Sequence, residues 1–165
     1  VYSVDDNFTT NFMTLLNRLP IFPLYYNGST KFSPIHSSDL TDIIYHIMTK
    51  NICSKIIECV GPEVLSLKEI IQKLLKLINK SRLLIPFPLF LAKISAYLFQ
   101  LLPKPLLTID QLKLLKYDNV LSKKNQNNFD IGVPSTRIFE QEVEKYCYMW
   151  REGGQFTKKK YNSIN

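Results

Sequence analysis

Lys31-Phe-Ser-Pro-Ile-His-Ser-Ser-Asp-Leu40 and Glu58-Cys-Val-Gly-Pro-Glu-Val-Leu-Ser-Leu-Lys-Glu69 decide how this chain folds. The first block is a short extended stretch delivered into a helix, with Ser37-Ser38-Asp39 supplying side-chain oxygens for the free N–H groups of its first turn. The second is a strand that stops at Gly61-Pro62 and restarts as a helix. There, Ser66-Leu67-Lys68-Glu69 has the spacing of a capping box, with Leu65 and Ile70 placed as the hydrophobic staple. Extended stretches feeding capped helices predict an α/β organisation with a few short strands.

Upstream, Asp5-Asp6-Asn7 offers caps for a helix from Phe8 to Arg18, in which Phe8, Phe12, Leu15, Leu16 and Leu19 recur at helical spacing until Pro20. Ile21 to Tyr26 and Lys31 to Ile35, separated by Asn27-Gly28, predict a hairpin, because Asn-Gly readily adopts the positive φ angles of a tight turn. In the helix opened by Ser37, Leu40, Ile43, Ile44, Ile47 and Met48 mark an apolar face. Asp39 and Asp42 sit at the positive end of its dipole, and Asp39 is expected to interact with backbone N–H groups there. Lys55 to Val60 is apolar enough for a strand buried on both faces.

Ile70, Ile71, Leu74, Leu75 and Ile78 continue the buried face of the helix after Ser66, and Leu83-Leu84-Ile85-Pro86 suits a strand at a sheet edge. Thr108-Ile109-Asp110-Gln111 repeats the capping pattern for a short helix ending near Tyr117, followed by a turn at Asp118-Asn119-Val120. Ser135 is placed to cap a last helix carrying Ile138, Phe139, Glu142, Val143 and Tyr146.

A chain of 165 residues that is 45% hydrophobic and 21% charged has the composition of one globular domain, not of a disordered polymer. Residues 1–150 are read as that domain and 151–165, with Lys158-Lys-Lys160, as a basic, disordered tail. Val1-Tyr-Ser-Val-Asp-Asp-Asn reads as a strand end running into a helix cap, and we expect further sequence upstream. The five glycines stand at 28, 61, 132, 153 and 154, which allows no Gly-x-Gly-x-x-Gly phosphate loop. Cys53, Cys59 and Cys147 form no Cys-x-x-Cys pair and are odd in number, which disfavours a disulfide framework and points to a reducing compartment. His36 and His46 lie ten residues apart and do not stack as an i, i+4 pair, so no metal site is expected.

The net charge of +7 is spread along the chain without the interleaved aromatics of a nucleic-acid module, so nucleic acid is an unlikely partner. Basic charge beside apolar surface suits an anionic membrane surface or an acidic protein instead. The most apolar stretch, Leu83 to Leu107, is interrupted by four prolines. Its proline-free part, Leu89 to Leu102, would span only about 21 Å as a helix against roughly 30 Å of hydrocarbon. It is expected to pack or lie at an interface.

Several runs together resemble the atypical extended short-chain dehydrogenase/reductase family that includes the NAD(P)-binding alpha-subcomplex subunit 9 of respiratory complex I. Val1-Tyr-Ser-Val-Asp-Asp-Asn-Phe8 is similar to that family's Val-Phe-Gly-Pro-Glu-Asp-Asn-Phe, and Lys31 to Leu40 to its Phe-x-Pro-Val-x-Val-x-Asp-Val. Gly61-Pro62-Glu63 resembles its Gly-Gly-Pro-Glu turn. Leu114-Leu-Lys-Tyr-Asp-Asn-Val120 resembles its Leu-Leu-x-x-Asp-Asn-Val segment, the run that separates this subfamily from sugar epimerases.

The resemblance implies the C-terminal, substrate-side part of a Rossmann-type NAD(P)-binding protein related to epimerases and dehydratases. It also implies a Gly-rich dinucleotide half upstream. The implied partners are that half, respiratory complex subunits and a membrane surface. The implied location is cytoplasmic or matrix-side, peripheral at the membrane. Val1 and Tyr2 correspond to the segment flanking the nicotinamide, and His36 lies where a strand delivers its last side chains toward the cleft. These three are the candidate cofactor-binding residues, and a buried, hydrogen-bonded histidine is the plainer reading of His36. None of the nine tyrosines has a lysine four residues on, so no catalytic Tyr-x-x-x-Lys pair is assigned. Ser3 and Val4 depart from the family's glycine and proline. The remaining alternatives are a working oxidoreductase or epimerase on a lipid-like or sugar-nucleotide substrate, and a membrane- or protein-interaction module.

Overall fold

A computed structural model of the chain describes residues 1–53, 55–88, 90, 113–122 and 124–156. Most of the expected helix over 89–102, residues 108–112 of the one expected to end near Tyr117, and the lysine run at 158–160 lie outside them. The described residues form a mixed α/β structure. Helices α1 (Thr9–Arg18), α2 (Ser37–Thr49), α3 (Leu67–Leu77) and α4 (Phe139–Glu144) alternate with six short strands. The strands are β1 (Ile21–Tyr25), β2 (Lys31–Phe32), β3 (Ile57–Glu58), β4 (Leu65–Ser66), β5 (Leu83–Phe87) and β6 (Gln126–Asn127). Among the described residues, no helix is long and apolar enough to cross a membrane.

α3 organises the core. Its apolar residues recur every three or four positions, so Leu67, Ile70, Ile71, Leu74 and Ile78 all fall on one side and are buried. Met13 and Leu16 of α1, Phe22 and Leu24 of β1, and Phe139 and Val143 of α4 complete the same cluster. Burying an aliphatic or aromatic side chain of this size contributes about 1.5–3 kcal/mol. The capping box forms as expected. Ser66 Oγ accepts from Glu69 N–H at 3.2 Å, and Glu69 Oε2 accepts from Ser66 N–H at 2.7 Å. These bonds hold the Glu69 carboxyl below the usual carboxylate range, the side-chain bond from Ser66 being the largest cause. Ser66→Ala removes one capping acceptor and is expected to cost about 1 kcal/mol in urea denaturation.

The expected hairpin does not form. β1 pairs in parallel with β5, Ile21 to Leu83 through Tyr25 to Phe87, while β2 pairs antiparallel with β4. Asn27-Gly28 does turn the chain through positive φ. Tyr26 also takes φ 50°, and the three-residue left-handed run redirects the backbone instead of folding β2 back on β1. β1 presents Phe22 and Leu24 to the core, and β5 satisfies its backbone. The proline strand 83–87 is therefore paired, through a register the local sequence does not encode.

β3 spans only Ile57–Glu58 and is half-buried with Ile56 exposed, in place of the expected strand buried on both faces. It finds one neighbour among the described residues, β6, and so keeps a face toward solvent. Asp118-Asn119-Val120 is not a free turn. Asn119 N–H donates to Lys31 O at 2.8 Å, Ser33 N–H donates to Asn119 O at 3.0 Å, and Asp118 Oδ1 accepts from Lys31 N–H at 2.8 Å. The segment thus lies extended against β2.

Ser135 does not cap α4. Its hydroxyl donates to Val60 O at 2.7 Å and accepts from Nδ2 of Asn128, whose Oδ1 in turn accepts from Val60 N–H at 3.0 Å. This buried network ties the end of the β3 segment to the 128–135 loop. α4 is capped from a distance instead, with Glu63 Oε2 accepting from Phe139 N–H at 3.0 Å. Residues 151–156, read as the start of a tail, hold contacts with the core. Arg151 Nε donates to Leu77 O at 2.5 Å, and Gly154–Phe156 form a 3-10 turn.

Candidate functional site

The stretch 31–37 is the meeting point of the chain. Tyr2 N–H donates to Ile35 O at 2.9 Å and Ser37 N–H donates to Tyr2 O at 3.0 Å, a parallel bridge between the N-terminal segment and the strand that feeds α2. Gly61 N–H donates to Ser33 O on another side of the same stretch. A Cβ on Gly61 would overlap the Pro34 carbonyl oxygen and stand 2.6 Å from its carbon, so only glycine admits this backbone crossing. The Asn119 bonds to Lys31 and Ser33 close the remaining side.

At the centre, Tyr2 is 1% exposed. Its ring meets His36 edge-on at 5.2 Å and packs tilted against Phe139 at 5.0 Å, while its hydroxyl donates to the Arg137 carbonyl at 3.3 Å. Burial, reinforced by the Glu142 carboxylate, pushes the Tyr2 phenol well up from its ordinary value and keeps it neutral. Nearby, Tyr146 is pushed up to about 12, again chiefly by burial, and its hydroxyl lies 2.9 Å from Thr9 Oγ1.

His36 is the N-cap of α2. Its Nδ1 accepts from Ser38 N–H at 3.2 Å, which places the ring proton of the neutral form on Nε2. The serines read as caps therefore give way to the histidine before them. Asp39 lies in the first turn of α2, but its hydrogen bonds do not go to that helix. It is 4% exposed, Oδ2 accepts from Arg137 N–H at 3.1 Å, and Oδ1 is ion-paired with the Arg137 guanidinium. Asp42 joins the same guanidinium at 3.2 Å. The bond from Asp39 is the main influence raising the Arg137 pKa. Two aspartates three residues apart beside the apolar side of α2 were the one signal of a distant cation, and nothing local pointed to Arg137.

Of the three candidate cofactor residues, the structure brings Tyr2 and His36 together as packed neighbours, with Tyr2 in the core, and leaves Val1 beside them 68% exposed. The glycines leave no hollow for phosphate at the centre of the fold. A Cβ on Gly28 would stand 2.9 Å from the Cβ of Lys68, and Gly61 is closed by Pro34. Neither of these two glycines offers a phosphate cradle, and no chemical step is assigned through a dinucleotide. The described residues hold no group of three or more His, Cys, Asp or Glu side chains able to bind a metal.

A second feature lies beside α1, with Phe32 shared between it and the 31–37 stretch. Phe8, Phe12 and Phe22 run in sequence as an aromatic wall, with ring centroids 5.0 and 6.0 Å apart. Together with Phe32, Leu115 and Leu15 they bound an apolar pocket of about 380 Å³. Thr30 anchors its rim through a hydrogen bond from its hydroxyl to Leu115 O. The helical spacing of Phe8 and Phe12 was legible in the sequence, whereas the placement of Phe22, on β1, against them was not.

No family model matches the chain, and no curated protein matches it.

Proposed function

We infer that this chain is the C-terminal, substrate-side part of a Rossmann-type, short-chain-dehydrogenase-like NAD(P)-binding protein. In this reading it serves as an accessory or assembly component of a respiratory NADH:quinone oxidoreductase, on the cytoplasmic or matrix side at the membrane periphery. One observation carries the reading. The four runs that resemble that family, at 1–8, 31–40, 61–63 and 114–120, are far apart in sequence yet bond to one another around residues 31–37. A chance resemblance of four separate runs would not require them to share one junction.

α2 supports the same reading. It buries Asp39 and Ile43 but leaves Ile44, Tyr45 and Met48 exposed, an apolar face suited to packing against a Gly-rich Rossmann half. That half would hold the dinucleotide phosphates, with Val1 and His36 at its border and Tyr2 supplying the backbone pairing. This chain alone would not retain the cofactor. In this reading, bound dinucleotide stabilises the fold and is not turned over. Ligand linkage then adds roughly 2.7 kcal/mol at a hundredfold excess over the dissociation constant. Thermal melting of the complete protein with and without NADPH is expected to show a rise of several degrees. No shift would remove the cofactor from the reading.

The apolar pocket favours a second reading, an oxidoreductase or epimerase acting on a lipid-like substrate. A Tyr-x-x-x-Lys pair in the partner half, with NADPH consumption in the presence of such a substrate, would establish it over the accessory role.

A further inference from the structure

We propose that the pocket beside α1 is a binding site for a neutral amphiphile, a single acyl- or prenyl-like chain carrying an uncharged head group with a carbonyl or hydroxyl oxygen. Its volume of about 380 Å³ lies toward the small end of ligand sites, which run from roughly 300 to 1,000 Å³. That suits one chain or one ring system better than a nucleotide. The walls are mainly phenylalanine and leucine, joined by Pro23 and Tyr25, and Phe8, Phe12 and Phe32 remain only half-buried, so a ligand would complete their removal from water.

The polar groups define the head. In a chain of net charge +7, the described residues lining this pocket include no Lys, Arg, His, Asp or Glu. A carboxylate or phosphate drawn into it would lose its hydration without gaining a counter-charge, which is costly in an apolar site. The side-chain amides available are those of Asn7, in the bend just before α1, and Asn11, in its first turn, both exposed. Both line the pocket, and neither makes a side-chain hydrogen bond among the described residues. Their NH₂ groups donate to an oxygen on the ligand and their carbonyls accept from a hydroxyl, a pairing that needs no ionic partner. This site stands on its own geometry and does not depend on the dinucleotide reading.

Isothermal titration of the full chain with 1-decanol, decanoate and decyl phosphate tests it. The alcohol is expected to bind saturably at one per chain with a negative heat-capacity change, and the two anions at least about tenfold more weakly. Leu19 lines the pocket at the end of α1 and is 36% exposed. Leu19→Trp fills the space from its edge and is expected to weaken decanol binding by about tenfold or more while the protein remains folded. The double variant Asn7→Ala, Asn11→Ala, at exposed positions outside the packing, is expected to weaken it about threefold to tenfold, as lost hydrogen bonds of ordinary strength would. Absence of saturable binding by any probe overturns the site. Equal binding of decyl phosphate overturns the neutral head, and unchanged affinity in the asparagine variant overturns its placement. Dimers in sedimentation that Leu19→Trp dissociates would assign the pocket to a second copy of the chain instead.

Discussion

Gly61→Ala is expected to destabilise the protein by about 3 kcal/mol or more, the upper end of what overpacking costs. The methyl group would overlap the Pro34 carbonyl oxygen and lie within 3.3 Å of Ile35 Cα, and all of the atoms it meets are backbone. A flexible side chain would swing away, but here a peptide must move, and that peptide belongs to the stretch to which Tyr2 and Asn119 are bonded. Displacement therefore loosens the junction as well as the crossing itself. At about 2–4 °C per kcal/mol for a chain of this size, the melting temperature should fall by roughly 6–12 °C. A variant melting within 2 °C of the parent would show that the two segments do not cross so closely in solution.

Asp39→Ala should cost about 2–3 kcal/mol, read by urea denaturation. Its carboxylate accepts both the backbone N–H and the guanidinium of Arg137, so its loss strips partners from the segment that also receives the Tyr2 hydroxyl. Breaking a fully buried pair costs about 3–5 kcal/mol. Because Arg137 keeps 33% of its side chain in contact with water, it recovers part of its hydration, and the figure is reduced accordingly. Asp39→Asn keeps an acceptor for the N–H and should cost less. In an Arg137→Met background the Asp39→Ala penalty should shrink but not vanish, since the backbone bond persists. A penalty below about 0.5 kcal/mol in the parent background would place this pair among ordinary surface ion pairs.

What the sequence revealed, and what it concealed, divides by distance along the chain. The α3 cap was legible because Ser66 and Glu69 satisfy each other within one turn, and its buried face because Ile70, Ile71, Leu74 and Ile78 repeat with the helix. α1 was likewise legible. Asp6, one of its expected caps, accepts from Thr10 N–H at 3.1 Å. Strand partners were not legible. Asn27-Gly28 has the chemistry of a hairpin turn, yet a third positive-φ residue, Tyr26, sends the chain elsewhere, and the choice of β5 as the partner of β1 resides in residues about sixty positions away.

The polar residues failed for a related reason. Ser135 and Asp39 both stand where helix caps are expected, and both are committed to partners distant in the chain, Val60 with Asn128 and Arg137. A cap motif states that a side chain has an acceptor to offer. Long-range packing decides who receives it. His36 and Glu63, neither read as a cap, perform that role for α2 and α4. The Tyr2 and His36 pair was legible as two residues of interest, but their direct contact depended on the parallel bridge.

We propose that the junction around residues 31–37 belongs to a scaffold that holds a nicotinamide dinucleotide without turning it over. Fluorescence titration of NADPH with the complete protein of that proposal is the decisive experiment. We predict saturable binding at one dinucleotide per protein, with no loss of the reduced cofactor on prolonged incubation and no binding to residues 1–165 alone. Absence of saturable binding to the complete protein would contradict the account, and so would steady oxidation of the bound NADPH.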